Sequence, residues 1–346
     1  MDFVQFLKKQ AQVIDKRLEE SLHKTSGEVA GVSPGLEKIF QKFSESSKGG
    51  KRIRGALVLL GYQISGGKDL NKVLDAAVAY EIFQTAILAQ DDVIDKSLFR
   101  RLKPSLYNSL GGDHKAISET ICLSDLGFFI CFKLLSALEV EDSSKISGAA
   151  LQVKAISLFS QSLTQTVLGQ MLDIETPFFK RGFLEKDTLK IALLKTAAYT
   201  ISGPLLLGAT LAGADSKILK QLKVFGDNLG VAFQIQDDIL GVFGDEKLTG
   251  KPTGDDIKEC KATLLISYAQ KKGSNEERGI LEKNYGKPEV NQKGIEAIKE
   301  IFIKTGALDY AKDQAEVYFE KARQALKGLE QGLLYSLIDF LSIRSK

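Results

Sequence analysis

Two short acidic runs interrupt otherwise apolar sequence: QTAILAQDDVIDKSLFRR, with Asp91, Asp92 and Asp95, and FQIQDDILGVFGDEKLTGK, with Asp237, Asp238 and Asp245. On an α-helix Asp91 and Asp95 lie one turn apart on one face, with Asp92 beside them. Carboxylates this close repel, and each is partly neutralised unless a cation sits among them. A hard divalent ion meets that need, and magnesium characteristically keeps waters and bridges to phosphate oxygens. Cations follow each run at short range, Arg100 and Arg101 after the first, Lys247 and Lys251 after the second. A lone Asp-Asp pair is most often a solvated cap or turn. Here the pair occurs twice, each time behind a stretch too apolar for a surface helix (IFQTAILA and LGVAFQI). That combination points to a magnesium–diphosphate site between two helices.

The elements carrying these runs read as helices. Val4, Leu7, Ala11, Ile14 and Leu18 follow a 3.6-residue period, as do Leu57, Leu60 and Ile64. Prolines number only six, and glycines gather at breaks such as Gly49-Gly50, Gly66-Gly67 and Gly111-Gly112. No alternating strand pattern and no fixed-period repeat is evident. The polar stretch KKGSNEERGILEKNYGKPEVNQKG reads as a surface excursion, and no linker separates two domains. The expected architecture is all-α: one large single-domain helical bundle over residues 1–346. Its acidic helices are expected to face each other across a central cavity, as cofactor sites in bundles do.

Other residues join the candidate site by position. SKGGKRIRGAL sets Lys51, Arg52 and Arg54 at the expected start of a helix, where backbone amides and cations together attract anions. The same residues after Gly-Gly would serve equally as a solvated basic turn. Gln84 lies two turns before Asp91 on the same face, and Gln234 one turn before Asp237. Either glutamine alone would be a satisfied core polar group. Lys195 and Thr196 sit in apolar LLKTAAYT, where an unpaired lysine is costly and a buried partner is implied, a pyrophosphate being one candidate. GQMLDIE adds Gln170 and Asp173 at i, i+3.

Composition excludes several classes. A net charge of +3, without a basic stripe interleaved with aromatics, does not suit nucleic acid. Three cysteines without a CxxC pair, and two histidines, make a zinc site improbable and suit reduced thiols in a cytoplasmic location. The charged, periodic N-terminus reads as neither signal nor transit peptide. No apolar run reaches the ~18 residues of a bilayer span. GVSPG, from Gly31 to Gly35, matches a nucleophile-elbow string but follows no strand. GDEKLTGKP departs from a phosphate-binding loop, with one residue too many between the glycines and Pro252 where Ser or Thr belongs.

Taken in order, GGKRIR, DDVIDKSLFRR, GQMLD, KTAAY, FQIQDD and GKPTGDDIKECKATLL make the chain, from about residue 40 onward, resemble the trans-isoprenyl diphosphate synthases of the polyprenyl synthetase family. The resemblance implies an all-helical, homodimeric enzyme that condenses isopentenyl diphosphate with an allylic diphosphate, using three Mg2+ per active site. By it, Asp91, Asp92 and Asp95, with Asp237 and Asp238, hold the metal. Arg100, Lys195 and Lys251, and more weakly Lys261, neutralise the allylic diphosphate. Lys51, Arg54, Gln84 and Arg101 hold isopentenyl diphosphate, and Thr196 and Gln234 turn oxygen dipoles toward the allylic cation.

The chain departs from the family pattern at Gly55 (usually Pro), Leu102 and Cys260 (usually Gly), and Gly241 (usually the third Asp). The basic end, with Arg344 and Lys346, would by the same resemblance close over the isopentenyl site. Ala86 and Ile87 stand where aromatics stop growth at fifteen carbons, and Phe83 lies about one turn below as a floor. The product expected is geranylgeranyl diphosphate or somewhat longer. Alternatives are a longer-chain polyprenyl synthase, a class I terpene cyclase, and a non-catalytic partner subunit.

Overall fold

The computed structural model describes residues 2–142, 146–244, 254–329 and 331–342. Asp245, Lys247, Lys251, Pro252 and the basic end with Arg344 and Lys346 lie outside the described residues. The fold is all-α, as the periodicity predicts. Its helices are α1 (Phe3–Val32), α2 (Pro34–Ser46), α3 (Ile53–Ile64), α4 (Leu74–Ile94), α5 (Leu106–Ser109), α6 (His114–Ser136) and α7 (Gly148–Glu175). Then follow α8 (Glu185–Ile191), a π-helical segment (Ala192–Ser202), α9 (Gly203–Leu211) and α10 (Ser216–Phe243). The last are α11 (Asp255–Lys258), α12 (Leu264–Lys272), α13 (Asn275–Asn284), α14 (Gln292–Lys304), α15 (Ala307–Ala325) and α16 (Gly332–Ser342). Among the described residues, the one strand pairing is a hairpin of β1 (Phe99–Arg100) and β2 (Lys103–Pro104).

Backbone contacts divide the chain into two compact units. The first comprises Met1–Ser160 with Gly203–Lys220. Here α4 packs on α6, and α3 on α9. Residues Ala76 to Phe83 of α4 are all buried, as befits a helix apolar on every side. In α1 the buried stripe runs through Phe3, Leu7, Ile14 and Leu18, whereas Val4, part of the predicted period, is exposed. GVSPG is a helix junction: Ser33 caps α2, accepting from the Gly35 N–H at 3.2 Å, with Pro34 opening the helix.

The second unit comprises Gln161–Ser202 with Gln221–Lys346. The polar stretch expected as a surface excursion is largely helical there. A capping box between Ser274 and Glu277 starts α13, and Leu281 on its inner side is buried. One helical stretch, Glu185–Leu211, is long and apolar enough by length and composition alone to cross a bilayer, although Lys186, Lys190 and Lys195 interrupt it as an apolar run. Its most apolar window is 78% buried, which marks a core helix.

Candidate active site

In the first unit, α4 ends with the acidic run. Asp91 and Asp92 occupy its last turn and Asp95 caps it, the Asp95 N–H donating to Asp91 O at 2.8 Å. Asp92 is buried at 2% exposure and faces Arg100, whose Nε stands 2.9 Å from both of its carboxylate oxygens. Arg100 Nη2 also donates to Asp91 Oδ2 at 3.4 Å. The β1–β2 hairpin brings this about by folding Arg100 back over the end of α4. Its two central residues, Arg101 and Leu102, have φ of 54° and 61°, the signature of a type I′ turn.

The GGKRIR segment meets this hairpin. A β-carbon on Gly50 would lie 3.1 Å from Arg52 Nη1 and 3.4 Å from Arg101 Nη1, so both guanidinium groups flank that glycine. Partial burial of the Arg101 head, with Arg100, Arg54 and Arg52 nearby, holds its pKa below the ordinary arginine value although the residue as a whole is exposed. A cluster of cations that disfavour one another's charge is a site built to receive an anion. Lys51 is exposed at its edge, while Arg54 and Gln84 are half-buried. Arg52 is different. It is buried, donating from Nε to Asp15 at 2.5 Å, from Nη1 to Glu81 at 3.4 Å and from Nη2 to Ser47 O at 2.8 Å.

In the second unit, the π-helical segment carries Lys195 and Thr196, and π turns recur at functional sites because they re-aim side chains. Lys195 Nζ donates to Asp173 Oδ2 at 2.7 Å, and Lys261 Nζ stands 3.9 Å from the same oxygen. The partner implied for a lysine in apolar sequence is therefore Asp173. Thr196 Oγ1 donates to Gln234 Oε1 at 2.5 Å, and Gln234 Nε2 donates to Asp238 Oδ1 at 2.7 Å. This chain fixes the amide orientation of Gln234. Burial and the charge of Asp256 push Asp238 well above the carboxylate range; the Gln234 hydrogen bond opposes them, and Asp237 and Asp173 add to them.

Among the described residues, no three Asp, Glu, His or Cys side chains form a preassembled metal cage. Asp92 is turned to Arg100 and Asp238 to Gln234. The donor chemistry nonetheless fits a hard divalent cation: every candidate ligand is a carboxylate, and the repulsion felt by Asp238 is what a cation would relieve.

The sequence matches the polyprenyl synthetase family over residues 35–302. The chain belongs to that family. Among relatives of this polyprenyl synthetase is the geranylfarnesyl diphosphate synthase of Aeropyrum pernix, 32% identical over 96% of this chain and 100% of that protein. The geranylgeranyl diphosphate synthase of Sulfolobus acidocaldarius is also 32% identical, over 85% of this chain and 86% of its own length. A crystal structure of geranylgeranyl pyrophosphate synthase from Corynebacterium glutamicum, complexed with isoprenyl diphosphate and magnesium, superposes with a TM-score of 0.86. It is 28% identical, covering 100% of this chain and 99% of that one. The synthetase thus has the all-α isoprenoid synthase fold and is a prenyltransferase of isoprenoid biosynthesis, a family whose reaction uses a divalent metal.

Two departures from the family pattern leave left-handed backbone in place. Leu102 and Cys260, where the pattern has glycine, adopt φ of 61° and 59°. The third has a different cause. The Gly55 N–H donates to Glu81 Oε1 at 2.8 Å, and Glu81 is buried. A proline at 55 would remove that donor. A single acidic residue in apolar YEIFQ carries no spacing signal that would mark Glu81. Asp256 lies in GKPTGDDIKECKATLL, but nothing in that string ties it to Asp238.

Proposed function

We propose that this prenyltransferase condenses isopentenyl diphosphate with an allylic diphosphate to make geranylgeranyl diphosphate, and that residues 1–346 act as one polyprenyl synthetase domain. The observation that carries the reading is the acidic turn of Asp91, Asp92 and Asp95 set beside Arg100, Arg101 and Arg54. In the first unit, Asp91 and Asp95 are the metal ligands. Asp92 takes part chiefly by holding Arg100, which neutralises the allylic diphosphate. Lys51, Arg54, Gln84 and Arg101 hold isopentenyl diphosphate.

In the second unit, Asp237 and Asp238 are the metal ligands, Lys195 and Lys261 neutralise leaving-group charge, and Thr196 and Gln234 stabilise the allylic cation. Lys251 keeps the role in allylic diphosphate binding that the resemblance gives it. Three Mg2+ per site, when bound, offset the charge of the departing diphosphate. The chain's own contribution is electrostatic. Cations and dipoles fixed in advance stabilise the charges that appear as the allylic carbon–oxygen bond breaks. The isopentenyl double bond then attacks, and the released diphosphate takes the proton.

Chain length follows from α4. Phe83 is buried among aromatics, with ring centroids 5.7 Å from Phe128 and 6.0 Å from Phe159, which supports it as a floor. Ala86 is fully buried, its Cβ 3.0 Å from where a β-carbon on Gly127 would sit, and Ile87 is half-buried. A twenty-five-carbon product is the second reading, favoured by the Aeropyrum relative.

Exposed Ile121 and Phe129 on α6 and Val153 on α7 support pairing with a second copy as a homodimer. The three free cysteines fit a cytoplasmic location. Incubating the enzyme with labelled isopentenyl diphosphate and each short allylic diphosphate tests the whole reading, with a twenty-carbon product expected. No elongation of any allylic primer would overturn it.

A further inference from the structure

Arg52 holds a backbone conformation that arginine rarely adopts. It is the last residue before α3, with φ 58° and ψ 31°, in the left-handed region. Strain of that kind persists only where the surroundings over-determine it, and it gathers at binding sites. Here the support comes through the residue's own side chain. The buried guanidinium reaches three elements: Asp15 Oδ1 on α1 at 2.5 Å, Glu81 Oε2 on α4 at 3.4 Å, and the Ser47 carbonyl at the end of α2 at 2.8 Å. Lys51 and Arg54, proposed above to hold isopentenyl diphosphate, flank it in the chain.

Asp15 is the one member of this set that precedes the family match, which begins at residue 35. Its carboxylate is half exposed, while the guanidinium that it meets is not. Charge-assisted hydrogen bonds of this length hold a donor in one orientation. The neighbouring residue, Ile14, sets the register of α1 against α3: its Cδ1 stands 3.0 Å from where a β-carbon on Gly55 would lie.

We propose that Asp15 is a positioning residue for isopentenyl diphosphate. Acting through Arg52, it keeps the left-handed turn at the start of α3, and with it Lys51 and Arg54, in the arrangement that receives the diphosphate. The inference rests on the assignment of Lys51 and Arg54 to isopentenyl diphosphate. A plain effect of charge would have the opposite sign. Removing the negative Asp15 makes the surroundings more attractive to a diphosphate, whereas losing the position of the cations makes them less so.

The test is steady-state kinetics with each substrate varied in turn, farnesyl diphosphate serving as the allylic partner. Asp15→Asn should raise KM for isopentenyl diphosphate about tenfold, as misplacement of binding groups does, and leave kcat and KM for farnesyl diphosphate near wild type. Arg17→Ala is the control for a merely structural role, because it breaks another ion pair of α1, to Asp75 on α4 at 2.6 Å. It should leave KM for isopentenyl diphosphate near wild type even where its urea midpoint falls as far as that of Asp15→Asn. An unchanged or lower KM in Asp15→Asn, an equal rise for both substrates, or the same selective rise in Arg17→Ala would overturn the inference. Lys51→Ala separates the two levels. If it raises KM for isopentenyl diphosphate while Asp15→Asn does not, only the role of Asp15 falls; if neither variant raises it, the assignment of the basic segment falls too.

Discussion

Glu81 and Arg52 form a buried ion pair, Oε2 to Nη1 at 3.4 Å, with 1% and 4% exposure. The other Glu81 oxygen accepts the Gly55 N–H at 2.8 Å, so one carboxylate fixes both the entry and the first turn of α3. The basic segment therefore contains two kinds of cation. Arg52 anchors the backbone, and that anchoring sets where Lys51 and Arg54 can reach. Glu81→Ala takes from buried Arg52 one of its two carboxylate partners, leaving Asp15 and the Ser47 carbonyl, and should cost about 3 kcal/mol, the scale for breaking a buried pair. Urea denaturation measures this, and a midpoint equal to wild type would refute it.

Asp91→Ala and Asp95→Ala should each lower kcat/KM at least about a hundredfold, the scale for losing one preorganised electrostatic group. Removing one of several like charges should leave the fold intact. Steady-state kinetics at saturating magnesium, with circular dichroism alongside, decides the matter; near-normal turnover in either variant sinks the metal assignment.

Leu102 is 75% exposed at φ 61°, so its side chain has little packing to lose. Leu102→Gly should stabilise the hairpin by about 1 kcal/mol by relieving left-handed strain. A shift of the denaturation midpoint to higher urea is expected. A lower midpoint would mean that the unfolded-chain entropy of glycine outweighs the strain.

The raised pKa of Asp238 has a definite sign in stability. Folding favours its neutral form, so the metal-free folded protein binds that proton more tightly than the unfolded chain. Its contribution is full below the unfolded value of about 3.9 and is lost as pH rises through the folded value. Metal-free Asp238→Asn should therefore melt above wild type at neutral pH and level with it in acid. Equal melting temperatures at neutral pH would contradict this.

Phe83→Ala should lengthen the product by five-carbon units and cost about 3 kcal/mol, since the side chain is fully buried among Phe128 and Phe159. Ala86→Phe is the less direct probe: its ring must also displace α6 at Gly127. Chromatography of products from Phe83→Ala showing wild-type length would move the floor elsewhere.

The helical class was legible in the chain, because the 3.6-residue period of apolar side chains is a local property. So were the two acidic turns and their following cations. Residues three or four apart on a helix share a face whatever the rest of the molecule does. The ordered motifs, read as a resemblance, reached the family that the comparison with relatives then established.

What only tertiary structure decided are relationships between residues far apart in the chain. Glu81 meets Arg52 across 29 positions and Lys195 meets Asp173 across 22. Asp256 fills the space of Gly241 only because a backbone hydrogen bond returns the chain to that turn of α10. The polar stretch read as an excursion became α13 because a capping box and one buried leucine sufficed to hold a helix. Spacing along a sequence encodes which side chains share an element. Which charges then neutralise one another depends on distance and burial, and those arise only when elements pack.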